Sequence, residues 1–266
     1  MSTYDYMYRD LCRYILEDGA VKGTRNGRTK SIFGHQIRHS MHRGFPLLTT
    51  KKMPFKAIVA ELTWFLKGRT DIGYLHERGC HIWDADYDKH GKLGPIYGKQ
   101  WRDWYGIDQI DRLVATLKTD PDSRRMVVSA WNVEELDRMA VPPCHHSFQV
   151  YTTEGLHGKR HLHLMWNQRS VDVPLGLPFN VASYALLLMI LAKEVDMVPG
   201  WLIGSLGDCH IYQNQAEGIE EQIDRYPNPK LPRVEFDKKE IHEYDVEDFR
   251  LVDYDSHPAI KIPLSV

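Results

Sequence analysis

Cys144 stands in Pro142-Pro143-Cys144-His145-His146, where paired prolines disfavour a core strand and fix a loop that presents a sulfur. A thiol does chemistry when something lowers its pKa or steers a substrate onto it. Further along, the stretch from Gln168 to Asn180 carries a guanidinium (Arg169), a hydroxyl (Ser170), a carboxylate (Asp172) and an amide (Asn180). A nucleophile, an anion binder and polar recognition groups are the parts of an enzyme that attacks an anionic substrate.

The elements that must position these groups follow from the rest of the chain. Its 266 residues, 42% hydrophobic and 26% charged, can bury a substantial core. A net charge of −2 gives no global attraction to nucleic acid or to an anionic membrane, so neither is expected as a partner. The four cysteines (Cys12, Cys80, Cys144, Cys209) have long gaps and no Cys-x-x-Cys, which opposes a disulfide framework or a zinc ribbon. The polar amino terminus lacks a signal-type apolar run, so a cytoplasmic protein with Cys144 free is expected.

Apolar spacing predicts helices over residues 4–17, 54–67, 108–119, 179–195 and 210–226. Strands are expected over 31–38, 126–131, 148–152, 161–167 and 201–206. Residues 22–30 read as a loop rich in anion donors, and residues 68–105 as loop-rich and aromatic. The stretch 179–195 is apolar nearly all round and reads as a buried central helix; its longest apolar run, 181–195, is too short and too polar to span a bilayer. With no repeat or linker, the fold class is α/β (α+β): one domain over residues 1–266, a large central sheet covered by helices.

Several segments, taken in order, resemble the thymidylate synthase family. They are Ser31-Ile32-Phe33-Gly34, Phe45 to Lys51, Leu93 to Arg102, Asp120 to Arg125, Pro143-Cys144-His145, Gln168 to Asn180, and Gly207 to Tyr212. The resemblance implies transfer of a one-carbon unit from 5,10-methylenetetrahydrofolate to C5 of dUMP, with Cys144 adding to C6 of the uracil. It implies that Glu61, Tyr97 and His145 organise water and proton transfer. Arg25, Arg124, Arg125, Arg169 and Ser170 match phosphate ligands, and guanidinium forks suit phosphate. His210 and Tyr212 match groups that hold the sugar. Asn180 matches the base reader; an amide offers the donor and acceptor that uracil requires, whereas aspartate would suit cytosine. Asp172 matches a contact to both folate and base, and Trp83, Leu175, Gly176, Phe179 and Val266 match the folate side. The family also implies an obligate homodimer through a sheet face, Arg124 and Arg125 reaching the neighbouring site, and no metal.

Each residue has a plainer reading. An isolated cysteine is ordinarily a small buried hydrophobe, an Arg-Arg pair a solvated surface, and an aromatic cluster a core. Glu61 among Ile58, Val59, Leu62 and Trp64 demands a partner whatever its role.

Departures from the family pattern cluster around one question. The Arg25 loop is one residue shorter, and Asp86 stands where many members have a second tryptophan. Asn167 precedes Gln168 where tyrosine is common, His146 follows His145, and Ser265 makes the tail more polar. Polarity at His146, Asn167 or Ser265 would admit water in place of hydride. The alternative is therefore a dUMP hydroxymethylase, giving 5-hydroxymethyl-dUMP and tetrahydrofolate. A metal hydrolase built on His161 and His163, or on His35, His39 and His42, lacks nearby carboxylate or cysteine ligands. A non-catalytic nucleic-acid binder lacks a basic stripe.

Overall fold

The computed structural model describes residues 4–87, 93–155 and 158–265. Helix α1 (Tyr4–Asp18) buries Tyr4, Tyr8, Leu11, Cys12 and Ile15 at helical spacing. It ends at Gly19, where a Cβ would lie 2.3 Å from the Ile15 carbonyl oxygen. Buried Asp5 accepts hydrogen bonds from the backbone and hydroxyls of Thr49 and Thr50, tying α1 to the segment that carries Lys51.

Strands β1 (Ala20–Thr24) and β2 (Gly27–Ser40) form a hairpin whose turn is Arg25-Asn26. The expected loop over 22–30 is thus corrected: Arg25 and Asn26 form the tip, and Lys22, Arg28 and Lys30 lie on paired strands. Helices α2 (Phe55–Leu66), α3 (Gly73–His76), α4 (Tyr97–Arg102) and α5 (Gln109–Thr119) follow. Asp108 caps α5 by accepting from the Asp111 N–H.

The remaining strands of the main sheet are β3 (Val127–Ser129), β4 (His145–Glu154), β5 (Arg160–Asp172) and β6 (Val198–Tyr212). The sheet order is β1-β2-β6-β5-β4-β3, antiparallel except for the β5–β6 pair. Helix α6 (Gly176–Glu194) makes the crossover between those parallel strands. It starts earlier than expected because Pro178 is tolerated in a first helical turn. That start gives α6 membrane-spanning length and apolarity, but 72% of its most apolar window is buried inside the protein, so it is a core helix.

Trp166 on β5 stacks on Tyr184 of α6 at 5.2 Å and 9°, and Leu162, Leu164, Trp166 and Gln168 face the core. The helix expected over 210–226 is corrected. Strand β6 continues through Tyr212 because His210 pairs with Ser31 on one side and Asp172 on the other. A 3-10 turn (Gln213–Gln215) then leads to α7 (Ala216–Asp224). A small pair, β7 (Arg233–Glu235) and β8 (Arg250–Val252), precedes a tail that runs back over the 49–51 segment and α7.

Candidate active site

The Cys144 loop is fixed from two sides. The Cys144 N–H donates to the Tyr97 hydroxyl at 2.8 Å, and its carbonyl accepts from the Arg169 N–H at 2.8 Å. The Arg169 guanidinium also donates to the carbonyls of Pro143 (3.0 Å) and Pro142 (2.7 Å). It is exposed beyond those bonds, 5.4 Å from the Trp131 ring centroid, and keeps N–H donors for an anion. Cys144 is a free, half-buried thiol. Burial pushes its pKa up, Arg169 pulls it down, and Asp86 and Asp172 push it up again, with a net rise. Arg169 therefore does not by itself produce a thiolate; presentation of the sulfur is the larger contribution of the loop.

Behind the cysteine lies a buried wall. His145 stacks on Tyr97 at 4.3 Å, and its Nδ1 shares a 2.9 Å hydrogen bond with the Tyr184 hydroxyl. Burial first, then His146, drives the His145 pKa down to about 3, so the ring is neutral at physiological pH. Glu61 on α2 accepts from Trp83 Nε1 at 2.9 Å, and burial raises its pKa to about 7. A carboxyl poised there exchanges protons readily near neutrality.

In front, strand and helix ends converge. Gln168, 3% exposed, accepts from Trp166 Nε1 and donates to Asn180 Oδ1 at 2.9 Å. This bond fixes which way the Asn180 amide points and leaves its Nδ2 to donate onward. Asp172 accepts from the Leu175 N–H at 3.0 Å and from Gln215 Nε2 at 3.1 Å; burial raises its pKa. Leu175, Gly176 and Phe179 are half-buried at the adjacent start of α6. Ser170 pairs with Asp208 across β5–β6. Tyr212 feels Asp172, Arg25 and Cys144, and Asp86, its pKa raised by burial, feels the opposing pull of Arg25. These mutual influences bring Arg25, Asp86, Cys144, Asp172 and Tyr212 into one neighbourhood, with His210 beside Asp172.

Arg124 and Arg125 are not brought to this site within the chain. They are exposed in the turn before β3, and the Met126 carbonyl accepts from the Val150 N–H midway along β4. Roughly six strand residues, about 20 Å, separate that level from Cys144. Val266 lies outside the described residues. Asn167 alternates to the sheet face opposite Trp166 and Gln168, and donates to Ser147. His146 sits in a β4 bulge beside Trp131, and Ser265 donates to Asn214. Of the metal candidates, His163 uses both ring nitrogens, on Thr153 and the Trp201 N–H. Among the described residues one exposed set, His76, His81 and Asp84, could hold a cation, though each histidine already bonds an Asp84 oxygen.

Residues that sequence reasoning left without a role include Gln168, Tyr184, Gln215 and Lys51. Gln168 and Lys51 lie inside segments already singled out, but their side-chain partners are distant or internal. Buried Lys51 donates to the Pro174 carbonyl, and burial lowers its pKa to about 8. Gln215 was obscured by the mistaken helix.

A mixed α/β domain with a loop-borne thiol, anion-binding arginines and an oriented amide has the architecture of a nucleotide-directed group-transfer enzyme. A family model described as thymidylate synthase matches residues 6–266, essentially the whole chain, and the chain belongs to that family. The family transfers a one-carbon unit to dUMP with methylenetetrahydrofolate as co-substrate.

Proposed function

We propose that the protein converts dUMP to dTMP, with dihydrofolate as the second product, through a covalent Cys144–C6 adduct. The observation that carries this reading is the shared anchoring of Cys144 and Arg169 on one loop, opposite an Asn180 amide oriented by Gln168. The sulfur and a phosphate bound by Arg169 would then hold fixed relative positions.

Arg25, Arg169 and Ser170 hold the phosphate, and His210 and Tyr212 the sugar. Asn180 donates to the uracil O4. Cys144 adds to C6, and the electron pair moves toward O4, where the Glu61–His145–Tyr97 wall manages the proton. His145, neutral, acts through hydrogen bonding and not as a cation. The residues toward the folate fit a flat, partly polar ring: Trp83, Phe179 and Leu175 are half-buried, and the Leu175 N–H donates to the Asp172 carboxylate. The folate supplies the one-carbon unit and the hydride.

The active form is a homodimer in which Arg124 and Arg125 complete the second copy's phosphate site. Two features support it: these arginines are remote within one chain, and the sheet face away from α6 exposes Tyr151 (63%), Val127 (51%) and Trp201 (41%). The free cysteines suit a reducing cytoplasm.

One observation favours the second reading, dUMP hydroxymethylase. The half-buried Asp86 carboxylate influences Cys144 directly, so it stands where it could take a proton from water attacking the exocyclic methylene. The test is turnover with dUMP and methylenetetrahydrofolate. An absorbance rise from dihydrofolate, matched mole for mole by dTMP, is expected. Turnover without dihydrofolate sinks the synthase reading in favour of the hydroxymethylase.

A further inference from the structure

Gln215 is completely buried, and both ends of its amide are committed. Its Oε1 accepts from the Tyr212 N–H at 3.0 Å. Its Nε2 donates one hydrogen bond to Asp172 Oδ2 at 3.1 Å and another to the Pro263 carbonyl at 3.2 Å. One amide therefore joins the end of β6, the carboxylate at the site and the carboxyl-terminal segment. The segment has further ties nearby. Ser265 donates to Asn214, and the Asn26 amide, beside Arg25 on the hairpin tip, donates to the Ser265 carbonyl at 3.5 Å. Ile260 and Ile262 lie over Gly218 of α7, where an added Cβ would approach Ile262 to 3.0 Å.

We propose that Gln215 is a positioning residue that couples docking of the carboxyl-terminal segment to the orientation of Asp172, and so to folate binding. The physical basis is the geometry of an NH2 group. Its two hydrogens are held in one plane, so the bond to Pro263, together with the one from Tyr212 to Oε1, fixes the direction of the proton aimed at Asp172. When the tail leaves, the amide loses one of its restraints and Asp172 loses a fixed donor. Folate that meets Asp172 stabilises the docked tail in return, because coupling is reciprocal. Gln215 touches no reacting atom; it acts through Asp172. The inference rests on the reading of Asp172 as a folate contact.

Gln215→Glu is the sharpest probe. It keeps the acceptor for Tyr212 and the shape, but removes both donors. At pH 8 the variant is expected to show a KM for methylenetetrahydrofolate about tenfold above wild type, with the KM for dUMP changed less than about twofold. As pH falls toward 6 the introduced carboxyl takes up a proton, regains a donor, and the folate KM returns toward the wild-type value. A residue with a merely structural role would not show that recovery. Removal of residues 262–266 raises the folate KM as well, and combining the truncation with Gln215→Glu adds little beyond the larger single effect. Fold-changes that multiply in the double variant would show independent effects and overturn the proposal.

A second arm needs no turnover. Carboxypeptidase is expected to release the terminal residues several times faster from Gln215→Glu than from wild type at pH 8, with far-UV circular dichroism unchanged. Equal release overturns the coupling itself, whereas wild-type protein inactive on dUMP overturns the proposed function alone. Should Gln215→Glu fail to fold, Gly218→Leu displaces the tail from α7 without touching Gln215. It is expected to raise the folate KM with the dUMP KM unchanged; an unchanged folate KM, with release accelerated, overturns the proposal.

Discussion

Glu61, Tyr97 and His145 form a wall whose polar atoms find their partners inside one chain, on Trp83, the Cys144 N–H and Tyr184. Arg25 and Arg169 are exposed cations at the rim of the site, and Arg124 and Arg125, exposed but remote within one chain, join that rim only on the proposed reading. In the wall, burial decides the chemistry: it pushes Glu61 up to about 7 and His145 down to about 3. In the rim, geometry decides it, since a guanidinium stays charged anywhere and matters only where it points. The wall is complete in one chain, and the rim, on the proposed reading, is complete only in two.

Cys144 lies between the two regions, and its loss gives the largest effect. Cys144→Ala is expected to lower turnover by at least four orders of magnitude, on the order of losses seen for covalent nucleophiles. Nucleotide binding survives through the rim. Mass spectrometry should find the covalent nucleotide adduct in wild type and none in the variant. Ordinary activity in the variant would remove the nucleophile from the mechanism.

Next is subunit complementation. The double variant Arg124→Ala with Arg125→Ala is expected to lose nearly all activity, as is Cys144→Ala. Subunits mixed and allowed to exchange should recover about a quarter of wild-type activity, because half the dimers are mixed and each has one intact site. Glu61→Gln mixed with Cys144→Ala should recover nothing, because both defects fall on groups of the same chain's wall. Recovery in the second mixture would erase the distinction between wall and rim.

Glu61 then separates activity from stability. Its unfolded pKa is near 4.5 and its folded value about 7, so between these the folded protein holds a proton that the unfolded chain releases. Stability falls as pH rises through that window, by up to about 3 kcal/mol. Glu61→Gln is expected to remove this slope. The variant should be more stable than wild type at pH 8, about equal at pH 5, and slower in turnover by roughly a hundredfold. Urea unfolding at both pH values, at fixed protein concentration, checks the crossing.

The sequence showed more of the wall and rim chemistry than of the scaffold that aims it. The Cys144 loop and the 168–180 segment were legible because prolines, arginines and amides in close order leave few ordinary uses. Glu61 was legible as a carboxylate among apolar neighbours. The hairpin carrying Arg25 and the strand carrying His210 and Tyr212 were misjudged. Cross-strand pairing at both edges of β6 overrode the local pattern, and such pairing has no signal in a single segment. Gln168 and Gln215 were invisible as positioners because an amide reveals its partner only in three dimensions.

The smallest expected effect lies at Asp86, where wall and rim meet. Burial raises its pKa against the pull of Arg25 from the rim, and Asp86 in turn raises that of Cys144. Asp86→Asn removes the negative charge and keeps the shape, so the thiolate forms more easily. At neutral pH iodoacetamide should alkylate Cys144 roughly two to three times faster in the variant. Under the synthase reading turnover stays within about threefold, and dTMP and dihydrofolate remain equimolar. Under the hydroxymethylase reading the variant loses the proton acceptor for water, and formation of 5-hydroxymethyl-dUMP falls by roughly a hundredfold while Cys144 grows more reactive. Opposite movement of alkylation and turnover would assign Asp86 to the chemistry. Parallel small changes would leave it as one charge in the field around the thiol.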